Sequence, residues 1–170
     1  MCHVNIFTGL PASGKSSYFQ QAFRDSHVRV NLDMLRNRTR EEILVHACLV
    51  GKTPFVVDNT NLSKKCRERY IRLAHASNFT ANSYFFVENL DVCLRRNPLR
   101  VAKTRVPDRI LQNMYERLEK PTWDEGWDRM FLVVMNMDPE IHFTVSEMTP
   151  PPKPLDTGKV LNVSSLLNHA

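Results

Sequence analysis

The sequence lacks the features that would place the chain in a membrane or a secretory pathway. No apolar run approaches the roughly 18 residues that a transmembrane helix needs. The first residues have neither a basic start nor a small-residue cleavage site, so they do not resemble a signal peptide. Hydrophobic residues make up 42% and charged residues 24% of the 170 positions, as in ordinary globular domains. We therefore expect a cytoplasmic protein that contacts no membrane.

Patterns that hold transition metals or disulfides are also absent from the sequence. The four cysteines are scattered without a CxxC pair, and no zinc spacing exists. Disulfides are unfavourable in a reducing compartment, so we expect an inert or structural role for each cysteine. The six histidines form neither an HxxxH nor an HExxH pattern, which argues against a transition metal held by the protein.

The net charge of +5 is unevenly distributed along the chain. Residues 64–109 contain eleven basic and four acidic side chains, a local net charge of +7. Such a cluster favours polyanionic partners, either phosphates or nucleic acid. The alternative is a set of solvated helix faces, and for residues 64–72 both interpretations stay open.

Short apolar runs alternate with segments of helical character between residues 3 and 135. Strands are predicted at residues 3–8, 28–30, 54–58, 80–87 and 129–135. Helices are predicted at residues 15–24 and 39–51, at residues 63–76 with Ser63 as cap, from Asp91 to Pro98, and after Pro107. This alternation predicts an α/β fold with a parallel sheet that helices cover on both faces.

The helix predicted at residues 39–51 carries two specific expectations. Thr39 and Glu42 match a capping box, which makes Thr39 the expected N-cap. The residues expected to face the core are Ile43, Leu44, Ala47 and Cys48.

The alternating pattern fades after residue 137. Residues 149–154 are rich in proline, which neither extends a helix nor enters a central strand. We assign residues 1–137 to one folded domain and residues 138–170 to a proline-rich extension or tail. Within that extension, residues 141–145 are a candidate edge strand.

The strongest motif is GxxxxGK[ST] at residues 9–16, between a predicted strand and a predicted helix. In this pattern, backbone N–H groups and the helix N-terminus converge on phosphate oxygens. Lys15 would reach the β- and γ-phosphates of ATP, and the Ser16 hydroxyl would ligate Mg²⁺. The candidate phosphate-binding residues are Gly9, Pro11, Ala12, Ser13, Gly14, Lys15, Ser16 and Ser17. A glycine turn without a ligand is the weaker alternative, because many constraints of the motif are met together.

Kinases, GTPases and motor ATPases all use such a phosphate-binding loop (P-loop), so other motifs must separate them. GTPases typically carry an NKxD motif, and none occurs here. Motor ATPases usually have a strand that ends in Asp-Glu, whereas Asp58 is followed by Asn59. Together with the small size of the chain, these differences favour a kinase.

Asp33 directly follows the second predicted strand. The carboxyl ends of parallel strands face the ligand crevice, so Asp33 would lie near the phosphates. There it can act as general base toward an attacking hydroxyl, and Arg36 can bind an anionic group of the acceptor. The alternative for Asp33 is a simple helix cap.

A polar cluster follows the third predicted strand. Asp58 would hold Mg²⁺ through water, and the residues that would position the acceptor or a loop are Asn59, Thr60 and Asn61. The alternative is a turn rich in hydrogen bonds from side chain to backbone.

Basic residues at the end of the helix from Asp91 suggest a lid over the nucleotide. Arg96 and Arg100 would neutralise charge on the transferring phosphoryl group. The alternative is that they only stabilise a helix C-terminus. Further along the chain, Trp123 and Trp127 either stack a base or, as we expect, pack into the core.

In their order along the chain, these residues resemble the 5′-hydroxyl polynucleotide kinases, including the kinase half of the bifunctional kinase–phosphatase enzymes. The resemblance covers about residues 6–134. Its most specific segments are Phe55-Val56-Val57-Asp58-Asn59-Thr60-Asn61, Arg67-Glu68-Arg69-Tyr70, Arg96-Asn97-Pro98-Leu99-Arg100, Pro121-Thr122 and Glu125-Gly126-Trp127. The P-loop itself is shared by many families.

The resemblance implies an adenylate-kinase-like P-loop fold that assembles into a homo-oligomer. It also implies that Asp33 is the general base and that Arg36 contacts a phosphate of the acceptor. In the same family, the residues matching Arg96 and Arg100 touch the donor phosphates. This chain departs from some members at Met34 and Leu35, where they carry an acid and an aromatic residue. We expect no phosphatase domain in residues 138–170, because this segment is too short for one.

Three functional hypotheses follow from the sequence. The leading one is an ATP- and Mg²⁺-dependent kinase of the 5′-hydroxyl end of DNA or RNA. The second is a kinase of a small hydroxyl-bearing molecule such as a nucleoside, sugar or antibiotic. The third is a nucleotide-dependent binding protein, which has the least support because binding alone needs no general base.

Overall fold

The computed structural model describes residues 2–87, 89–138 and 140–152. Its six strands form one sheet in the order β2-β3-β1-β4-β5-β6. The strands are β1 (His3–Thr8), β2 (Val28–Val30), β3 (Phe55–Val57), β4 (Thr80–Phe86), β5 (Arg129–Asn136) and β6 (His142–Glu147). The first five are mutually parallel, and β6 pairs antiparallel with β5. The predicted α/β fold is therefore confirmed.

Helices connect the parallel strands. They are α1 (Lys15–Ala22), α2 (Leu32–Leu35), α3 (Arg38–Val50), α4 (Lys64–Ala76), α5 (Leu90–Arg96) and α6 (Asp108–Glu116). Short 3₁₀ turns lie at Asn97–Leu99, Ala102–Thr104 and Trp123–Glu125. No helix of the described residues is long and apolar enough to cross a membrane.

Strand β1 lies where the order of strand addition reverses from one side of the sheet to the other. The chain leaves β1 toward β2 and β3 on one side and later returns to build β4 and β5 on the other. In open parallel sheets, ligands bind at such a switch point, outside the carboxyl ends of the strands. The loop after β1 is therefore placed at the expected ligand crevice.

Apolar clusters cover both faces of the sheet. One cluster includes Val4, Ile6, Val57 and Tyr70, and the other includes Phe7. The first cluster also contains Trp127, and Trp123 packs against it. The tryptophans therefore pack in and against the core, as the sequence analysis expected.

Helix α3 differs from its prediction in both its cap and its buried face. Asn37 caps the helix by accepting a hydrogen bond from the Arg40 N–H at 2.9 Å, so the expectation of Thr39 was wrong. Ile43 is 65% exposed, whereas Glu41 is fully buried. The remaining buried residues of the helix are Val45, Cys48 and Leu49, so the prediction is correct for Cys48. Leu44 packs against the core as predicted, whereas Ala47 is exposed. The face of α3 that carries Glu41 turns inward because the Glu41 carboxylate accepts hydrogen bonds from Arg69 and Tyr70 of α4.

The cap of α4 agrees with its prediction, and the sheet continues into the predicted extension. Ser63 caps α4 by accepting a hydrogen bond from the Cys66 N–H at 3.3 Å, as predicted. Strand β6 shows that residues 142–147, within the predicted extension, join the sheet. Residues 153–170 lie outside the described residues, so the tail stays a prediction.

Candidate active site

A cavity of about 910 Å³ opens at the carboxyl edge of the parallel strands. Its walls come from the loop after β1, from α2, from the segment after β3 and from residues 96–106. The predicted site residues that line it are Pro11, Ala12, Gly14, Lys15, Ser16, Ser17, Asp33, Arg36, Asp58, Asn59, Thr60, Arg96 and Arg100. Gly9, Ser13 and Asn61 do not line this cavity.

The P-loop is shaped by two glycines that no larger residue can replace. Gly14 has φ of +97°, and an added Cβ would lie 2.6 Å from the Met135 Sδ. A Cβ on Gly9 would lie 2.9 Å from the Cβ of Phe86. The Gly9 N–H donates to the Thr60 carbonyl at 3.1 Å, which ties the loop to the segment after β3. The glycines therefore let the loop wrap closely over the sheet, as phosphate binding requires.

Lys15 is held inside this loop. Its Nζ donates to the carbonyl oxygens of Gly9 at 2.9 Å and Leu10 at 2.5 Å, and it lies 3.4 Å from the Ser13 Oγ. Burial lowers the pKa of Lys15 to about 8, and the Asp58 carboxylate opposes that shift. A buried ammonium that is held mainly by carbonyl dipoles suits a nearby phosphate, whose charge would compensate the cost of burial.

Ser16, Asp58 and Arg29 form a connected group below the loop. The Ser16 Oγ donates to the Asp58 Oδ2 at 3.0 Å, and the Arg29 Nε donates to the same oxygen at 2.9 Å. The Arg29 Nη2 also donates to this oxygen. Arg29 thus neutralises a nearly buried carboxylate, whose side chain is 1% exposed. Arg29 was not among the predicted site residues, although a basic residue in the middle of a short apolar strand was a usable signal.

This group fits Mg²⁺ only together with a nucleotide. Mg²⁺ in proteins usually binds one or two carboxylates and completes its shell with water and substrate phosphates. Ser16 and Asp58 offer a hydroxyl and a carboxylate beside the P-loop. Across residues 2–87, 89–138 and 140–152, no three His, Cys, Asp or Glu side chains are grouped so as to hold a metal by themselves.

Asp33 lies in the first turn of α2 and is not the cap of that helix. Asn31 is the cap, because its Oδ1 accepts from the Met34 N–H at 3.2 Å. Asp33 is exposed and lines the cavity. Burial lowers the pKa of Arg100, and the negative charge of Asp33 opposes this shift. The carboxylate is therefore close enough to act electrostatically on the lid.

The segment after β3 is braced by its asparagines. The Asn59 Oδ1 accepts from the Leu32 N–H at 2.9 Å, and its Nδ2 donates to the Glu41 Oε1 at 2.8 Å. The Asn61 Nδ2 donates to the carbonyl of Phe7 at 2.8 Å. Both amides thus position the loop, one of the two roles that the sequence left open. Thr60 lines the cavity beside them.

Glu41 is the centre of a network that the sequence analysis missed. It is fully buried, and it accepts hydrogen bonds from the Tyr70 OH at 2.8 Å and the Arg69 Nη2 at 2.7 Å. The Arg38 Nη1 donates to it at 2.8 Å, in addition to the Asn59 amide. A buried carboxylate with four donors fixes the relative positions of α3, α4 and the segment after β3.

The predicted lid residues present a cation to the cavity. The Nη1 atom of Arg100 is buried and finds no hydrogen-bond acceptor in the described part of the chain. Arg96 donates from its Nη2 to the Met135 carbonyl at 3.2 Å. Lys103 and Arg105 also line the cavity. A buried guanidinium N–H without a protein acceptor costs free energy that an anionic ligand would recover, so the site fits a triphosphate.

Comparison with known proteins agrees with this geometry. The family model AAA_33, described as "AAA domain", matches residues 4–121. An L-seryl-tRNA(Sec) kinase from Methanococcus maripaludis is 27% identical over 72% of this chain and 55% of its own length. A bifunctional polynucleotide phosphatase/kinase from Schizosaccharomyces pombe is 23% identical over 73% of this chain and 31% of its own length. The match thus spans about half the length of the first relative and about a third of the length of the second.

Solved structures share the fold at low sequence identity. Chaetomium thermophilum Kti12 in complex with ADP-AlF3 gives a TM-score of 0.59 at 16% identity, covering 77% of this chain and 88% of that one. A gluconokinase from Sinorhizobium meliloti 1021 gives 0.55 at 19% identity, covering 78% and 82%. With its P-loop between β1 and α1 and a family match over most of its length, the chain belongs to the AAA_33 family of P-loop domains.

Proposed function

We propose that the protein is an ATP- and Mg²⁺-dependent kinase that transfers the γ-phosphate to the 5′-hydroxyl end of DNA or RNA. One observation carries the proposal: Asp33 lines the same cavity as the P-loop and its charge acts on both Lys15 and Arg100. A protein that only binds nucleotide has no need of a carboxylate there.

The proposed reaction uses each wall of the cavity. Asp33 accepts the proton of the 5′-hydroxyl while the hydroxyl oxygen attacks the γ-phosphorus. The bond from that phosphorus to the β,γ-bridging oxygen breaks, and ADP leaves. Lys15 and the lid arginines Arg96 and Arg100 neutralise the oxygens of the transferring group. Mg²⁺, held by Ser16 and through water by Asp58, would neutralise further charge on the β- and γ-phosphates.

A polynucleotide acceptor is favoured by charge on the acceptor side. Arg36 lies at the end of α2 with φ of +75° and lines the cavity a few residues from Asp33. Lys103 and Arg105 add cationic lid residues. The names of both relatives specify nucleic-acid substrates, one an L-seryl-tRNA and one a polynucleotide. A small neutral sugar has no use for so many cations around its hydroxyl.

The test is phosphate transfer from labelled ATP to a panel of acceptors. The panel contains a 5′-hydroxyl DNA oligonucleotide, the matching RNA, a seryl-tRNA, and small nucleosides and sugars. We expect label on an oligonucleotide with a 5′-hydroxyl, decreasing as salt is raised, and none on the same strand with a 5′-phosphate. Label only on seryl-tRNA or only on a small molecule would reassign the acceptor, and no transfer at all would refute the kinase.

A further inference from the structure

A second cavity of about 390 Å³ adjoins the main one. The residues that line both cavities are Leu32, Asn59, Thr60 and Met114. Leu32 directly precedes Asp33 in α2. A chain-like acceptor whose reacting hydroxyl lies at Asp33 therefore has a continuous path across this shared wall.

Arg38 stands in the second cavity as a positioned cation. Its Nη1 donates to the Glu41 carboxylate at 2.8 Å and to the Tyr70 OH at 3.4 Å. Within the described residues, its Nε and Nη2 donate to nothing, and the side chain is 53% exposed. A guanidinium whose Nη1 is already held, while its Nε and Nη2 are open, loses little conformational entropy when it binds an anion.

Glu41 couples this cation to the site of the general base. The same carboxylate receives the Asn59 amide, and Asn59 in turn accepts from the Leu32 N–H at the start of α2. The two cavities are thus fixed relative to one another by one buried residue. This is the arrangement that a two-part acceptor site requires.

Arg117 supplies a second cation to the cavity. It is exposed, and its side chain makes no hydrogen bond or ion pair with any residue that the structure describes. The acidic residue of the cavity, Glu119, is already engaged, because its Oε2 accepts from the Lys64 N–H at 2.6 Å. Among the charged residues that line the cavity, Arg38 and Arg117 outnumber Glu119, so the lining favours anions.

We propose that this second cavity binds the second nucleotide of the acceptor, with the phosphate on the 3′ side of that nucleotide held between Arg38 and Arg117. The inference rests on the proposed function and narrows its substrate to acceptors of at least two nucleotides. A single nucleoside 3′-phosphate would occupy the main cavity alone and gain nothing from these arginines.

The test compares a 5′-hydroxyl nucleoside 3′-phosphate with the dinucleotide that carries one further 3′-phosphate. We expect the wild type to prefer the dinucleotide in kcat/KM by about tenfold or more, the scale of one or two charge-assisted hydrogen bonds. Arg117→Gln should lower the dinucleotide value about tenfold and so reduce the ratio between the two acceptors. Arg38→Gln should do the same, but it also loosens Glu41, so Arg117→Gln is the cleaner variant.

Arg24→Gln is the matched control, because Arg24 is exposed, pairs with its neighbour Asp25 and lines neither cavity. It should leave the ratio unchanged. Equal losses on both acceptors in Arg117→Gln, or a wild type without preference, would overturn the subsite. If the wild type phosphorylates neither acceptor, the kinase proposal fails separately. Binding of a fluorescent dinucleotide to wild type and Arg117→Gln then still decides on the subsite, since unchanged affinity refutes it.

Discussion

The proposed donor side and the proposed acceptor side of the cavity are built in different ways. On the donor side, Lys15 is almost buried, and it contacts carbonyls only five and six residues away in sequence. On the acceptor side, Asp33 is exposed and makes no hydrogen bond among those that the structure gives for the described residues. Its helix is held instead through Asn59, 27 residues further along the chain from Leu32.

Because of this difference, we expect nucleotide binding and acceptor specificity to depend on different contacts. Many enzymes bind the same nucleoside triphosphate, so a local, rigid loop can serve as its binding site. An acceptor site must change from one enzyme to another, and long-range bonds let it change without disturbing the loop. The structure therefore predicts that acceptor-side substitutions impair transfer while ATP binding persists.

Removing Asp33 should produce the largest separation between the two sides. Asp33→Ala should lower the rate of transfer by at least about 10²-fold, the usual scale for a general base. ATP affinity should stay within about threefold, because the P-loop contacts are untouched. Single-turnover transfer and equilibrium binding of a fluorescent ATP analogue measure the two effects.

Asp25→Ala is the control for this prediction, since Asp25 is an exposed carboxylate that pairs with Arg24 outside the cavity. It should change neither quantity. Full activity in Asp33→Ala would remove this residue from the chemistry, and an equal loss of ATP binding would contradict the separation of the two sides.

Glu41→Gln should produce a smaller but broader effect. The glutamine keeps the size of the side chain but loses the charge that four donors satisfy, at an expected cost of about 2 kcal/mol in unfolding free energy. The KM for the acceptor should rise, while the dissociation constant for ATP stays the same. Denaturant unfolding and initial rates measure these changes.

Glu42→Gln provides the matched control, because Glu42 is the exposed neighbour of Glu41 on the same helix. It should alter neither stability nor KM. If Glu41→Gln kept the wild-type KM for the acceptor, the buried network would stabilise the fold without affecting acceptor binding.

The two sides also differ in how far the sequence predicted them. The P-loop and the placement of Asp33 after β2 were anticipated, because a local motif and the parallel topology determine them. The Glu41 network was not, since an acid in an amphipathic helix is indistinguishable by sequence from a solvated one. Arg38 and Arg117 lie far apart in the chain, and only the fold brings them to one cavity.

The strand pattern was predicted better than the helix faces. Buried parallel strands are continuous apolar runs that stand out in sequence, as Phe55–Val57 does. In helix α3 the predicted core residue Cys48 is buried, but apolar Ile43 is exposed and charged Glu41 is buried, so the periodicity located the buried face only in part. Long-range hydrogen bonds to Glu41 determine the orientation of α3, and no local sequence pattern indicates such bonds.

The donor side makes one further, smaller prediction, which concerns pH. Burial lowers the pKa of Lys15 from 10.5 to about 8 in the free protein, with Asp58 opposing the shift. A bound triphosphate adds negative charge and raises that pKa again, so binding above pH 8 must take up a proton. The dissociation constant for ATP should therefore rise about fivefold between pH 8 and 9 and level off below about pH 7.

Calorimetry in two buffers of different ionisation enthalpy counts the proton taken up, and Lys15→Arg is the control because arginine stays charged throughout this range. Its profile should be flat. The same shift has a defined sign for folding: between pH 8 and 10.5 the unfolded chain binds more protons at Lys15 than the folded chain. This group alone therefore makes stability increase with pH across that window. A wild-type ATP affinity without pH dependence between 8 and 9 would contradict the lowered pKa. It would mean that the loop carbonyls keep the Lys15 ammonium protonated throughout this range in the free protein as well as in the complex.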